Sequence, residues 1–207
     1  MRIFGIDPGS RRTGYGCVES DGRRHHLVTC GTIASPATDS LPERLARIHR
    51  ELVALIAICR PDVVTVENLF HGVNARSALT LGHARGVAIL AAVQAGCELV
   101  EYTPAEVKRA VVGYGRAEKP QVQRMIKLLL GLDRAPSPHD ASDALAIAIC
   151  HLHSTPRRAW GPASAGIGER GTGIPGRKAA LDLPSPAAAP RVVRARSWRQ
   201  YRPPSTG

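Results

Sequence analysis

Four carboxylates stand where they could act together. Asp7 directly follows an apolar, strand-like run at Arg2–Ile6, and Glu67 directly follows a second at Asp62–Val66. If those strands lie parallel and adjacent, both acids emerge at one edge of the sheet, where open α/β folds place their ligands. Asp140 and Asp143 are three residues apart in a helical pattern, so they share one helix face. Each acid alone has a plainer explanation. Asp7 opens an Asp-Pro-Gly turn, Glu67 ends a strand at solvent, and Ser137-Pro138-His139-Asp140 reads as a helix cap with a capping-box acid. That account covers Asp143 only partly. Converging acids with few cations nearby repel one another unless a divalent metal neutralises them. Oxygen-only ligands favour Mg²⁺ or Mn²⁺ over zinc, and two such ions beside basic residues suit hydrolysis of a phosphodiester.

Aromatic residues are scarce, at 4% of the chain, with only two phenylalanines. One of them, Phe70, follows Glu67 by three residues and precedes the loop His71-Gly72-Val73-Asn74. Two readings stand: Phe70 stacks on an unpaired base, or it anchors the loop to the core. Lys108 and Lys119 flank a glycine-rich stretch, Val112-Gly113-Tyr114-Gly115-Arg116. A lysine there can hold a phosphate oxygen, and Lys119 also opens a helix whose amide end faces anions. Arg109 and Arg116 read better as a solvated basic loop. Arg76 and Ser77 start a helix from which they could reach a nucleic-acid backbone.

The elements that must position these groups follow from patterning. Strands are expected at Arg2–Ile6, Gly14–Glu19 and His26–Ala34, separated by Gly/Arg-rich turns as in an antiparallel meander. A helix then follows Ser40, which with Glu43 fits a capping box, and Leu41, Leu45, Ile48, Leu52 and Leu55 recur at helical spacing. The β-branched run Asp62–Val66 reads as a buried strand. A second helix is expected over Ala75–Gln94, capped by Asn74, with Leu79, Gly82, Gly86, Leu90 and Val93 along one side. Glu98–Tyr102 reads as a fifth strand, and two helices are expected at Pro120–Leu130 and Pro138–His151. The order β-β-β-α-β-α-β-α-α is that of an α/β domain with a mixed sheet.

Charge divides the chain in two. The whole carries 28 Lys/Arg against 17 Asp/Glu, a net +11, which suggests an acidic partner. Residues 1–155 hold only +3 of it, and residues 156–207 hold +8. The second stretch is rich in Pro, Gly, Ala, Ser and Arg and is read as a disordered basic tail behind a folded domain at 1–155. No apolar run approaches the roughly 18 residues of a membrane span, and Met1–Asp7 lacks the apolar core of a signal peptide. Five widely spaced cysteines argue against a disulfide framework and for a reducing cytoplasm.

Taken together, the motifs resemble the RuvC family of crossover-junction (Holliday junction) endodeoxyribonucleases. The matching stretches are Arg2-Ile-Phe-Gly-Ile-Asp-Pro-Gly-Ser10 with Thr13-Gly-Tyr-Gly16, and Val66-Glu-Asn-Leu-Phe70. Ala78-Leu-Thr-Leu-Gly-His-Ala-Arg-Gly-Val87, Val111-Val-Gly-Tyr-Gly115 with Ala117-Glu-Lys119, and Asp140-Ala-Ser-Asp-Ala-Leu-Ala146 complete the set. They occur in family order over roughly residues 1–153, and the basic tail lies outside them. The resemblance implies an RNase H-like fold, a homodimer and Mg²⁺ dependence. It further implies symmetric paired cuts in four-way DNA junctions during recombination and repair, leaving ligatable nicks with 5′-phosphates, in cooperation with the RuvA–RuvB branch-migration complex. It places Asp7, Glu67, Asp140 and Asp143 on the family's four acidic positions, and Lys108 and Lys119 on basic residues near the scissile phosphate. It also favours stacking for Phe70. Some members use histidine just before the last acid, so His139 and Asp140 both stand as ligands there. Spacing favours Asp140, because His139 lies about 100° further round the helix.

Three rival readings have distinct signatures. An actin-like ATPase or sugar kinase shares the Asp7-Pro8-Gly9-Ser10 turn but needs a second large domain and repeated phosphate loops. Another RNase H-like nuclease, acting on RNA or hybrids, would not require Phe70 and the run from Val111 to Lys119. A DNA-binding module held by the basic tail would need no metal site.

Overall fold

Ile3, Phe4 and Ile6 on one strand and Val63, Val64 and Val66 on another are all buried, which requires a sheet covered on both faces. The computed structural model describes residues 1–68 and 75–155. Phe70, the expected Asn74 cap and the basic tail therefore lie outside the described residues. In chain order the elements are β1 (Arg2–Asp7), β2 (Arg12–Ser20), β3 (His25–Ala34), α1 (Leu41–Cys59) and β4 (Val63–Glu67). They continue with α2 (Ala75–Gln94), β5 (Glu98–Tyr102), α3 (Pro104–Val112), α4 (Lys119–Leu129) and α5 (His139–Ser154). The five strands form one sheet in the order β3-β2-β1-β4-β5. The β1–β2 and β2–β3 pairs are antiparallel, while β1–β4 and β4–β5 are parallel, so the sheet is mixed as expected.

Alternation along the strands sorts the core into two layers. Phe4, Ile6, Cys17, Ile33, Val64 and Val66 pack under α1 and α2. Ile3, Val18 and Val63 pack against α3, α4 and α5 on the other face. Helix α1 begins where the Glu43 carboxylate accepts from the Ser40 amide at 2.7 Å and from its hydroxyl at 2.6 Å, and it buries Ile48, Leu52, Ile56 and Cys59. Helix α5 is the most deeply set, with every residue from Ala141 to Leu152 except Asp143 buried.

Small residues under α5 explain its depth. A methyl group at Gly5 would lie 2.1 Å from the Ala144 carbonyl oxygen, and one at Gly14 would lie 2.0 Å from that of Asp140. The missing side chains let the helix backbone rest directly on β1 and β2.

Three expectations need correction. Helix α3 was not anticipated: Thr103 and Glu106 close a capping box around Pro104, so Lys108 lies on a helix rather than beside a loop. Ser137 does not cap α5; the helix starts after Pro138 with no side-chain cap. On α2 the seam against α1 is Ala84, Ala88, Ala91 and Ala92, not the Leu79–Val93 stripe. Leu79, Leu90 and Val93 are 63%, 48% and 58% exposed, and no described atom lies within 4 Å of a methyl placed at Gly82 or Gly86. Alanines permit closer helix–helix approach than leucines, so the core seam takes the smaller residues.

Candidate active site

The parallel register pairs Ile6 of β1 with Val66 of β4, which sets Asp7 and Glu67 side by side at the carboxyl ends of the two central strands. Beyond Glu67, the amide of Asn68 donates to the Tyr102 carbonyl at 2.8 Å, holding the strand end in place. In the antiparallel register Asp7 faces Gly14. That glycine is the one under the Asp140 carbonyl. The bare backbone opposite Asp7 thus lets the first turn of α5 descend onto the sheet, carrying Asp140 and Asp143 toward Asp7.

A cavity of about 310 Å³ opens at this edge, lined by Asp7, Glu67, Asp143, Lys108 and Lys119 against the apolar wall of Val107 and Val122. Lys119, the first residue of α4, bonds Asp143 through its ammonium at 3.1 Å. Asp140 sits beside the cavity and accepts from Arg12 Nε at 2.7 Å. The His139 ring is engaged through Nδ1 by Gln123 of α4, and His139 is not among the residues lining the cavity. Arg76 is not brought to this cavity. It lines a separate cleft with Ser10, Arg11 and Arg44.

Burial and mutual repulsion dominate the electrostatics. The Asp7 carboxyl is pushed up to about 8, first by burial and then by Glu67, Asp143 and Asp140, with Lys119 opposing. Glu67 is pushed up to about 6 by burial and by Asp143, against Lys119 and Lys108. Lys119 is raised in turn by its bond to Asp143 and by the charges of Asp7 and Glu67. Asp7, held protonated in this way at neutral pH, would ionise on meeting a cation. The donors are all carboxylate oxygens, which suit a hard divalent ion. Among the described residues no three carboxylate, imidazole or thiol groups close around one point, and Arg12 and Lys119 hold Asp140 and Asp143 in ion pairs.

Sequence reasoning missed Arg12. Its partner is 128 residues away, and no local pattern announces it. The Thr103-Pro104-Ala105-Glu106 box, by contrast, was a readable sign of the helix that carries Lys108.

The family model for "Crossover junction endodeoxyribonuclease RuvC" matches residues 3–151. A protein of that name from Syntrophomonas wolfei is 51% identical over 154 residues, covering 74% of this chain and 90% of its own. Among solved structures, Thermus thermophilus RuvC in complex with a Holliday junction substrate superposes with a TM-score of 0.71 at 35% identity, over 74% of this chain and 93% of its own. A yeast mitochondrial Holliday junction resolvase shares the fold, with a TM-score of 0.55 at 14% identity over 73% and 77% of the two chains. The mixed five-stranded sheet with helices on both faces is therefore RNase H-like. With the profile spanning almost all the described residues and half of the aligned positions identical to a curated relative, the chain belongs to the RuvC family of crossover junction endodeoxyribonucleases.

Proposed function

We propose that this chain resolves four-way (Holliday) DNA junctions by paired, metal-dependent phosphodiester hydrolysis, in recombination and repair. The observation that carries this reading is the gathering of Asp7, Glu67 and Asp143 with Lys108 and Lys119 in one cavity. Asp7, Glu67, Asp140 and Asp143 would hold Mg²⁺, two ions per site, with Mn²⁺ as a substitute. When bound, the ions supply charge stabilisation at the phosphate and leaving 3′ oxygen and lower the pKa of a water. The side chains do the rest. A DNA phosphate competes with Asp143 for the Lys119 ammonium, and Lys108 adds a second positive charge on the same wall. The products are a 5′-phosphate and a 3′-hydroxyl. Phe70 would stack on an unpaired base at the junction centre. The test is a substrate panel of four-way junction, linear duplex and RNA–DNA hybrid, each with Mg²⁺ and with EDTA. Cleavage of the junction alone, and only with metal, is the expected result; preferential hydrolysis of the hybrid would favour a ribonuclease instead.

The active species is a homodimer, since a two-fold junction presents two equivalent strands to cut. The exposed stripe of Leu79, Leu90 and Val93 flanking Gly82 and Gly86 on α2 is the candidate interface. Gly82→Arg is the probe, because among the described residues a Cβ added at Gly82 meets nothing within 4 Å outside its own helix backbone. Its circular dichroism should match the parent while light scattering shows half the mass and paired cutting becomes independent nicking, with melting lowered only by the lost association. A variant that stays dimeric, or a parent that is monomeric on and off DNA, removes this interface.

Residues 156–207 are proposed to add affinity without chemistry. Truncation after Thr155 should weaken binding to any DNA and flatten its salt dependence, because fewer counterions are released. Cut positions on the junction should not move. Loss of cut-site choice with junction binding retained would make the tail part of recognition. Family membership supports RuvA–RuvB as the partner complex. The five free thiols support the cytoplasm, and no described helix is long and apolar enough to cross a membrane.

A further inference from the structure

Among the described residues, four arginines have a buried Nε with no hydrogen-bond partner: Arg2, Arg44, Arg47 and Arg85. In three of them another guanidinium nitrogen is paired, Arg2 to Glu19, Arg47 to Asp39 and Arg85 to Glu101. Among the described residues Arg44 has no such carboxylate. It lies one turn along α1 from Arg47 and lines a cleft of about 420 Å³ with Arg11, Arg76, Ser10 and Thr80. Neither Arg11 nor Arg76 has an ion pair among the described residues. The acids nearest in sequence are already committed, Glu43 to Ser40 and Asp39 to Arg47.

Three positive charges brought together without an acid repel one another, so such a cluster calls for an anion. The frame around it is fixed. The Arg11 carbonyl accepts from the Ser35 amide at 3.1 Å, and the Thr13 hydroxyl donates to the Gly9 carbonyl at 2.8 Å, pinning the loop from both sides. The first turn of α1 supplies Leu41 and Arg44, and the start of α2, which has no acid in its first turn, supplies Arg76 and Thr80. The cleft is thus lined from the amino-terminal turns of two helices, the ends that carry positive dipole charge. Arg11 and Arg12 are consecutive, and Arg12 holds Asp140 of the acidic site. The cleft and the acids therefore share one loop.

We infer that this cleft is a second phosphate subsite, in which Arg11, Arg44 and Arg76 grip the backbone of a junction arm beside the scissile phosphate. The inference rests on the DNA-cleaving role proposed above and adds how the strand is held while the acids act on it. Arg11 and Arg44 are positioning residues here and make no contact with the reacting atoms.

The experiment is a methylphosphonate scan. Full-length protein is titrated by fluorescence anisotropy in EDTA against four-way junctions, each carrying one neutral linkage near the cut, over a range of salt. One linkage should weaken the parent about fivefold and lower the salt slope by about one. Arg44→Gln should lose about the same on the unmodified junction and become indifferent to that linkage alone. Arg11→Gln, altered at an exposed side chain with no side-chain partner among the described residues, should behave likewise and carries the test if Arg44→Gln melts early. Parent-like affinity and salt slope in both variants would overturn the subsite. So would a loss of affinity that leaves every linkage as costly as before. Cleavage of the unmodified junction with Mg²⁺, assayed alongside, separates the two claims: a parent that never cuts junctions refutes the resolvase reading, while the linkage-specific coupling in EDTA still decides the cleft.

Discussion

Asp7→Asn should cut junction cleavage by at least ~10³-fold while leaving junction binding within about twofold of the parent, because the fold needs no charge at the end of β1. The same change should stabilise the protein. Asp7 holds its proton up to about pH 8 when folded, against 3.8 for an ordinary aspartate, chiefly through burial and then through Glu67. Below pH 4 both states are protonated and the substitution is neutral. As the pH rises, the unfolded chain releases a proton that the folded chain keeps, so the parent loses stability until about pH 8. Asparagine carries no such penalty. Its melting temperature should exceed the parent's by about 5 °C at pH 8, with the gap closing toward pH 4. Mg²⁺ should narrow the gap by raising the parent alone. Scanning calorimetry across this range checks the sign. A variant less stable than the parent at pH 8, or one that still cleaves, would contradict the placement of Asp7.

Gly14→Ala should be the most damaging single-methyl change in the fold. The added carbon would lie 2.0 Å from the Asp140 carbonyl oxygen, a backbone atom that cannot swing away. Either α5 lifts from β2 or the strand bends. The expected cost is about 3 kcal/mol in chemical denaturation. Lifting the first turn of α5 also moves Asp140 and Asp143 away from Asp7, so residual folded protein should cleave about 10²-fold more slowly. Gly82→Ala provides the contrast. Among the described residues its added carbon meets nothing within 4 Å outside its own helix backbone and it replaces a mid-helix glycine, so the fold of the subunit should be unaffected or stabilised by about 0.5 kcal/mol, with any loss falling on dimerisation alone. Equal effects of the two substitutions would mean that close packing under α5 does not set the site.

The acids were legible because their signals are local. Asp7 and Glu67 each follow a run of buried β residues, and the parallel pairing of β1 with β4 makes two strand ends one edge. Asp140 and Asp143 needed only helical spacing. What escaped the sequence depends on contacts between distant segments. Nothing near Gly5, Gly14 or Gly16 says that α5 will lie on them, and nothing near Arg12 names Asp140 as its partner. The face of α2 was misjudged for a related reason. Leucines signal burial more strongly than alanines, yet the seam with α1 is alanine-lined and the leucine stripe faces outward. Helix α3 is a different case. Its capping box was visible, but nine residues give too short a period to stand out beside the glycine-rich stretch that follows.

The most direct measurement is cut mapping on a synthetic mobile four-way junction, with each strand labelled in turn. With Mg²⁺, cuts should fall at symmetry-related positions on two opposing strands, and DNA ligase should seal the products without further processing. Both cuts should vanish in EDTA and in Asp7→Asn. Cleavage that persists without divalent metal, falls on a single strand, or leaves ends that ligase cannot join would contradict a paired, metal-dependent resolvase built on these four acids.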